Sequence, residues 1–197
     1  MGRTRLEAFS DAVIAIIITI MVLDLHPPEN PSFHALLPVA PVFVSYILSF
    51  VYIGIYWNNH HHLLHLCPTV NGGILWANLH LLFWLSLFPF VTAWLGENHF
   101  AALPALLYGL VLLAAALAYW LLQSRIIAFQ GSDSKLRHAL GSDWKGKISP
   151  ALYLLGIIAA ALGHAWPALA AYVAVALLWL VPDRRIERAL QDESEDA

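Results

Sequence analysis

Charge is what this sequence has least of. Asp, Glu, Lys and Arg make up 12% of its 197 residues, about half the share of an average soluble domain. That scarcity excludes a water-soluble globular chain. Cysteine is nearly absent too: Cys67 stands alone, which rules out an intrachain disulfide or a cysteine metal cage. No segment repeats another, which counts against a transporter assembled from paired repeats. A cleavable leader is also not expected. Arg3 and Arg5 precede an apolar run as in a signal peptide, but Glu7 and Asp11 interrupt it and no small-x-small cleavage site follows.

Apolar length is what the chain has instead. Hydrophobic residues account for 60% of it and its mean hydropathy is +0.68. There is room for about six membrane spans of roughly 20 residues each, and none for a soluble domain beside them. The fold class expected is all-α, an integral membrane protein with spans near 6–25, 39–65, 74–95, 103–129, 148–162 and 167–181. Pro27-Pro28 closes the first span, Pro68 and Asn71-Gly72-Gly73 make the turn after the second, and Gly163 to Pro167 separates the last two. Residues 1–182 then form one six-span unit and 183–197 a charged tail.

The basic residues orient it. Arg3 and Arg5 precede the first span, Arg125, Lys135, Arg137, Lys145 and Lys147 cluster between the fourth and fifth, and Arg184, Arg185 and Arg188 lie in the tail. These are all ten Lys and Arg residues of the chain. The alternate loops hold only Asp24, Glu29 and Glu97. An even number of spans with both termini cytoplasmic satisfies the positive-inside rule without exception. Tyr56, Trp57, Trp94 and Trp179 fall where headgroup-level aromatic belts are expected.

Polar groups inside the spans are costly and usually functional. On the first span, Ile16, Thr19 and Leu23 share one helical stripe flanked by Ala12 and Ile20, while Ser10 and Asp11 point largely away from it. Such a stripe fits ordinary helix packing as well as the wall of a pore. Arg5, Ser10, Asp11, His60, His61, His62, Asn78 and His80 all fall near one membrane surface. A shared hydrogen-bond network there, with a His or Arg beside Asp11, is the expected arrangement. His61 and His65 have a zinc-ligand spacing, yet no carboxylate is close to them in sequence.

The motif Arg5-Leu6-Glu7-Ala8-Phe9-Ser10-Asp11 resembles the Arg-x-x-x-Phe-Ser-Asp signature of the lysosomal and bacterial potassium channels of the transmembrane-175 kind. Asp11 to Leu25, Tyr56-Trp57, His60-His61, Leu75 to Leu79 and Phe88 to Ala93 are also similar to that family's first three spans. The resemblance implies a homotetramer of six-span subunits whose first spans line a central pore. It implies that Ile16 is the narrowest hydrophobic constriction, with Thr19 and Leu23 further along. It implies that Arg5, Phe9, Ser10 and Asp11 tie the first span to the next two, with His61 and Asn78 in the same network.

The function expected on that basis is a moderately selective, potassium-permeable channel in a bacterial inner membrane, and no enzyme. No cofactor or resident metal is expected, and the permeant potassium ion is the only ligand. The expected partners are other copies of the chain, the lipid bilayer and monovalent cations, with no nucleic acid. A filter sequence such as Thr-Val-Gly-Tyr-Gly is absent. Selectivity then falls to rings of side chains, with Thr19 the only polar ligand and Ile16 able to gate by dewetting. The alternatives are a proton channel or proton-coupled transporter built on Asp11 and the inner-surface histidines, and a membrane enzyme built on a histidine–metal site. His80 has no role in any of these readings except as a relay member.

Overall fold

The computed structural model describes residues 2–131, 134, 136–137 and 144–180. Within them the fold is all helix. Eight helices are numbered here in chain order: α1 (Arg3–Leu23), α2 (Phe33–Leu36), α3 (Ala40–His65), α4 (Gly72–Ser86), α5 (Phe88–Glu97), α6 (Ala102–Gln130), α7 (Trp144–Ala161) and α8 (Ala165–Leu180). The segments Arg3–Leu23, Ala40–His65, Gly72–Glu97 and Ala102–Gln130 are long and apolar enough to cross a membrane. The expected tail at 183–197 lies outside the described residues.

Local chemistry sets the helix ends. Asn71 caps α4, its side-chain oxygen accepting from the Ile74 amide at 2.9 Å. At the end of α7, Gly163 takes φ +86°, with Gly163 N donating to Ala160 O and His164 N to Ala159 O. That paired closure needs a left-handed residue, which glycine supplies without strain.

Three expectations are corrected. The third span is two helices, α4 and α5, broken at Leu87. Pro89 explains the break: it has no amide hydrogen, and its ring would collide with the Leu85 carbonyl. The fifth helix already includes Trp144, ahead of the expected start at Ile148, and carries Pro150 inside it. Tyr56 belongs to no belt, because it is buried between Phe88 and Tyr119 at ring distances of 6.4 and 6.2 Å.

Two packing groups share α3. α1 lies on α3, α4 and α5, whereas α6, α7 and α8 pack on one another, with α6 also against α4 and α5. The core between them is aromatic, with Tyr52, Phe88, Tyr108, Tyr153 and Tyr172 all buried. Its polar atoms have partners. Tyr52 donates to Tyr172 O at 2.6 Å and Tyr172 to Ala105 O at 3.2 Å, while Ser49 shares hydrogen bonds with Thr92 and Tyr108. Two backbones approach closely at Gly96, where an added Cβ would stand 2.6 Å from Val42 Cα.

Candidate functional site

α1 has two unlike faces. Leu6, Ser10, Ile14, Ile17 and Met21 are buried against the neighbouring helices, following the helical repeat. The opposite side is open along its length. Ile16 is 56% and Leu23 75% exposed, and Phe9, Ala12, Thr19 and Ile20 are exposed with them. The three stripe residues of the sequence therefore lie together on the face that no described element covers. Thr19 adds a detail of direction. Its hydroxyl donates to Ile16 O at 2.8 Å, which leaves the oxygen lone pairs free to face outward.

Behind that face runs a buried polar chain with a defined direction. His60 Nε2 donates to Asn78 Oδ1 at 2.7 Å, Asn78 Nδ2 donates to Ser10 Oγ at 2.9 Å, and Ser10 donates to Leu6 O at 2.9 Å. The amide orientation and the imidazole tautomer follow from each other in this assignment. His60, Asn78 and Ser10 are all 0% exposed. Their hydrogen bonds pin α1 to α3 and α4 in a layer where an unpaired polar group is expensive.

A second set of contacts lies closer to the surface. Trp57 Nε1 donates to Asp11 Oδ1 at 3.0 Å, His61 Nδ1 lies 3.1 Å from Glu7 Oε1, and Arg3 Nη1 donates to the His65 carbonyl at 2.9 Å. Arg3 also reaches Glu7 at 4.0 Å. Arg3, Glu7 and Asp11 are spaced by four on α1, and Trp57, His61 and His65 by four on α3. The two ladders run antiparallel and meet rung by rung.

The single network expected from sequence thus divides. Ser10 and Asn78 are joined, but through His60. Asp11 is held by an indole and by neither His nor Arg, because Trp57 occupies the rung facing it. His61 pairs with Glu7, outside the Ser10–Asn78 chain. Arg5 and Phe9 are exposed, with no hydrogen bond or ion pair from the Arg5 side chain among the described residues. Sequence reasoning missed Glu7, Arg3 and Trp57 as partners. The matched four-residue spacings on the two helices were the available signal.

His80 stands apart from both sets. On the exposed side of α4 it accepts from Trp84 Nε1 at 2.9 Å. Glu7 supplies the carboxylate that His61 lacked in sequence, yet no group of three His, Cys, Asp or Glu side chains is placed to hold a metal among the described residues. The geometry offers helix pinning and an open, mostly apolar stripe. It offers no constellation for covalent or metal chemistry among those residues.

The comparisons with known proteins agree with that division. The family described as "Endosomal/lysosomal potassium channel TMEM175" matches residues 5–89. These residues contain most of α1, all of α3 and α4, and every polar contact of the two sets that join α1 to α3 and α4 except those of Arg3. A potassium channel of Chryseobacterium sp. (strain P1-3) is 53% identical over 192 residues, covering 98% of this chain and 100% of that protein. The endosomal/lysosomal proton channel TMEM175 of Gallus gallus is 37% identical over 75 residues, 32% of this chain and 15% of that one. Among solved structures, the lysosomal potassium-selective channel TMEM175 homolog from Chamaesiphon minutus superposes with a TM-score of 0.77 at 26% identity, covering 92% of this chain and 97% of that chain. These relatives are ion channels and not enzymes. Matched over nearly its whole length by a bacterial potassium channel, the chain belongs to the TMEM175 channel family.

Proposed function

We propose that the chain is one subunit of a homotetrameric, moderately selective potassium channel in which the free face of α1 lines the pore. One observation carries the reading: an apolar helix is anchored by its buried polar side and leaves Ile16, Thr19 and Leu23 uncovered. Copies arranged about an axis would cover that stripe with itself, and closed symmetry repeats each residue around the path. The number four and the central position of the first span are what the family resemblance implies.

In this reading four Ile16 side chains form the narrowest ring and close the path to water when they meet. Thr19 contributes oxygen lone pairs, since its proton is committed to the Ile16 carbonyl. Partial dehydration against such a ring favours potassium over sodium only moderately. The remainder of residues 1–182 supports that helix through six spans, with 183–197 as a cytoplasmic tail. The distribution of all ten Lys and Arg residues supports a cytoplasmic position for both termini. The membrane is the bacterial inner membrane. Monovalent cations and lipid are the partners, without cofactor or nucleic acid.

Proton conduction is the second reading, favoured by the buried His60–Asn78–Ser10 chain and by the name of the Gallus relative. The chain itself argues for anchoring. It ends on the Leu6 carbonyl and passes through an amide, neither of which readily hands a proton onward.

Replacing Ile16 by Asn tests the pore. Wetting the constriction should raise ion flux or change selectivity in reconstituted vesicles, with the amount of assembled protein unchanged. Flux and selectivity identical to those of the parent would remove Ile16 from the path.

A further inference from the structure

A cavity of about 70 Å³ lies between α3, α6, α7 and α8, on the side of the molecule away from α1. It sits at the end of the bundle that carries Lys145 and Lys147, flanked by the C-terminal part of α3, the C-terminal part of α6 and the last turn of α8. Its depth is aromatic, with Tyr52, Tyr56 and Tyr153 among its walls. Two of its polar groups are unused. Gln123 is 91% buried, being 9% exposed, and its amide makes no hydrogen bond among the described residues. Tyr56 is 8% exposed, and its hydroxyl likewise has no hydrogen-bond partner among them. Both groups line the open space of the cavity, where an occupant that supplies acceptors can take the bonds that the protein leaves unmade.

The chemistry around the mouth narrows the choice. Lys145 lies with its Nζ 5.8 Å from the Trp179 ring, and Gly146 lines the cavity between two lysines. Trp179 Nε1 donates to Ser149 Oγ at 2.8 Å, which fixes the indole as a wall. No carboxylate is among the described residues that line the cavity. Positive charge outside, amide and phenol donors within, and no acidic side chain among the described lining residues together suit an anion better than an organic cation. The opening also runs beside Trp120, which is 61% exposed on the apolar flank of α6. An occupant can therefore keep a hydrocarbon chain against the helix while its head enters. Basic pockets between spanning helices are a known setting for anionic headgroups.

We infer that this cavity binds the phosphoglycerol headgroup of an anionic phospholipid, with Gln123 and Tyr56 holding its oxygens and Lys145 neutralising its charge. The site is separate from the α1 stripe, so it can set how firmly the α6–α8 group is held without touching the conducting path.

The test uses the full chain, purified and reconstituted into phosphatidylcholine vesicles doped with phosphatidylglycerol. Lipid retained per chain after detergent extraction is counted by native mass spectrometry. Retention of phosphatidylglycerol over phosphatidylcholine should fall about tenfold in Gln123→Leu, as expected for a lost hydrogen bond to a charged group. Tyr56→Phe, which keeps the ring and the packing, should produce a smaller loss in the same direction. The oligomer must elute as the parent does, and Tyr56→Phe carries the test alone if Gln123→Leu fails to assemble. Equal retention of the two lipids by the parent would overturn the inference, as would unchanged retention in Tyr56→Phe and the assembled Gln123→Leu. Displacement of the lipid by millimolar glycerol phosphate in solution would reassign the site to a free phosphate ester and overturn the lipid assignment.

Discussion

Replacing Asn78 by Leu removes both bonds that the amide makes, to His60 and to Ser10, while nearly conserving volume. Hydrogen bonds between membrane helices are worth roughly 0.6–1.7 kcal/mol each, and a buried donor left stranded costs about 1–3 kcal/mol. His60 is 0% exposed, so its Nε2–H has no water to turn to. The expected loss is about 1–4 kcal/mol. For a chain of this size that lowers the melting midpoint by roughly 3–15 °C. The assay is thermal unfolding of the detergent-solubilised protein, read by its own tryptophans. His60→Leu should cost a similar amount. The double variant should cost clearly less than the two together, because removing both partners strands neither. Strictly additive shifts, or an Asn78→Leu midpoint within about 1 °C of the parent, would refute the reasoning.

Three further outcomes follow from single contacts. Gly96→Ala puts a Cβ 2.5 Å from Ser45 Oγ and 2.6 Å from Val42 Cα, so α3 and α5 must part; a loss of about 1–3 kcal/mol and of assembled protein is expected in size-exclusion profiles. Thr19→Val keeps the shape of the proposed pore ring but removes its oxygens, so potassium-over-sodium preference should drop while Thr19→Ser retains it; equal preference in all three proteins would take Thr19 out of selectivity. Cys67 is 0% exposed and burial pushes its thiol up, which lowers the thiolate fraction at neutral pH. Maleimide should therefore label it slowly in the native protein and rapidly in sodium dodecyl sulfate, and rapid native labelling would contradict the buried placement.

How far the sequence was legible depended on the range of the interaction. Hydropathy alone located the apolar stretches of α1, α3 and α6, because each run is long enough to cross a bilayer, and it marked α8 as a shorter one. The break at Leu87 was foreshadowed by Pro89, but whether a proline kinks or divides a span is decided by how its neighbours pack. Helical spacing put Ile16, Thr19 and Leu23 on one face, and the folded chain leaves that face open. The polar partners were harder. Ser10 and Asn78 are 68 residues apart, and nothing local says which of three consecutive histidines turns toward them. Rotation of α3 decided it: His60 faces the core while His61 looks to Glu7. Trp57 was assigned to a lipid belt for its ring, and its indole N–H proved to matter as the donor to Asp11. The cavity beside Gln123 left no trace in sequence, since it depends on four helices meeting.

The central claim is passive potassium conduction along α1. Purified protein in vesicles under a potassium gradient tests it directly, with sodium and a proton ionophore as controls. Potassium flux that exceeds sodium flux and needs no proton gradient is the predicted result. Proton movement without potassium flux would contradict it, and would hand the function to Asp11 and the histidines behind the stripe.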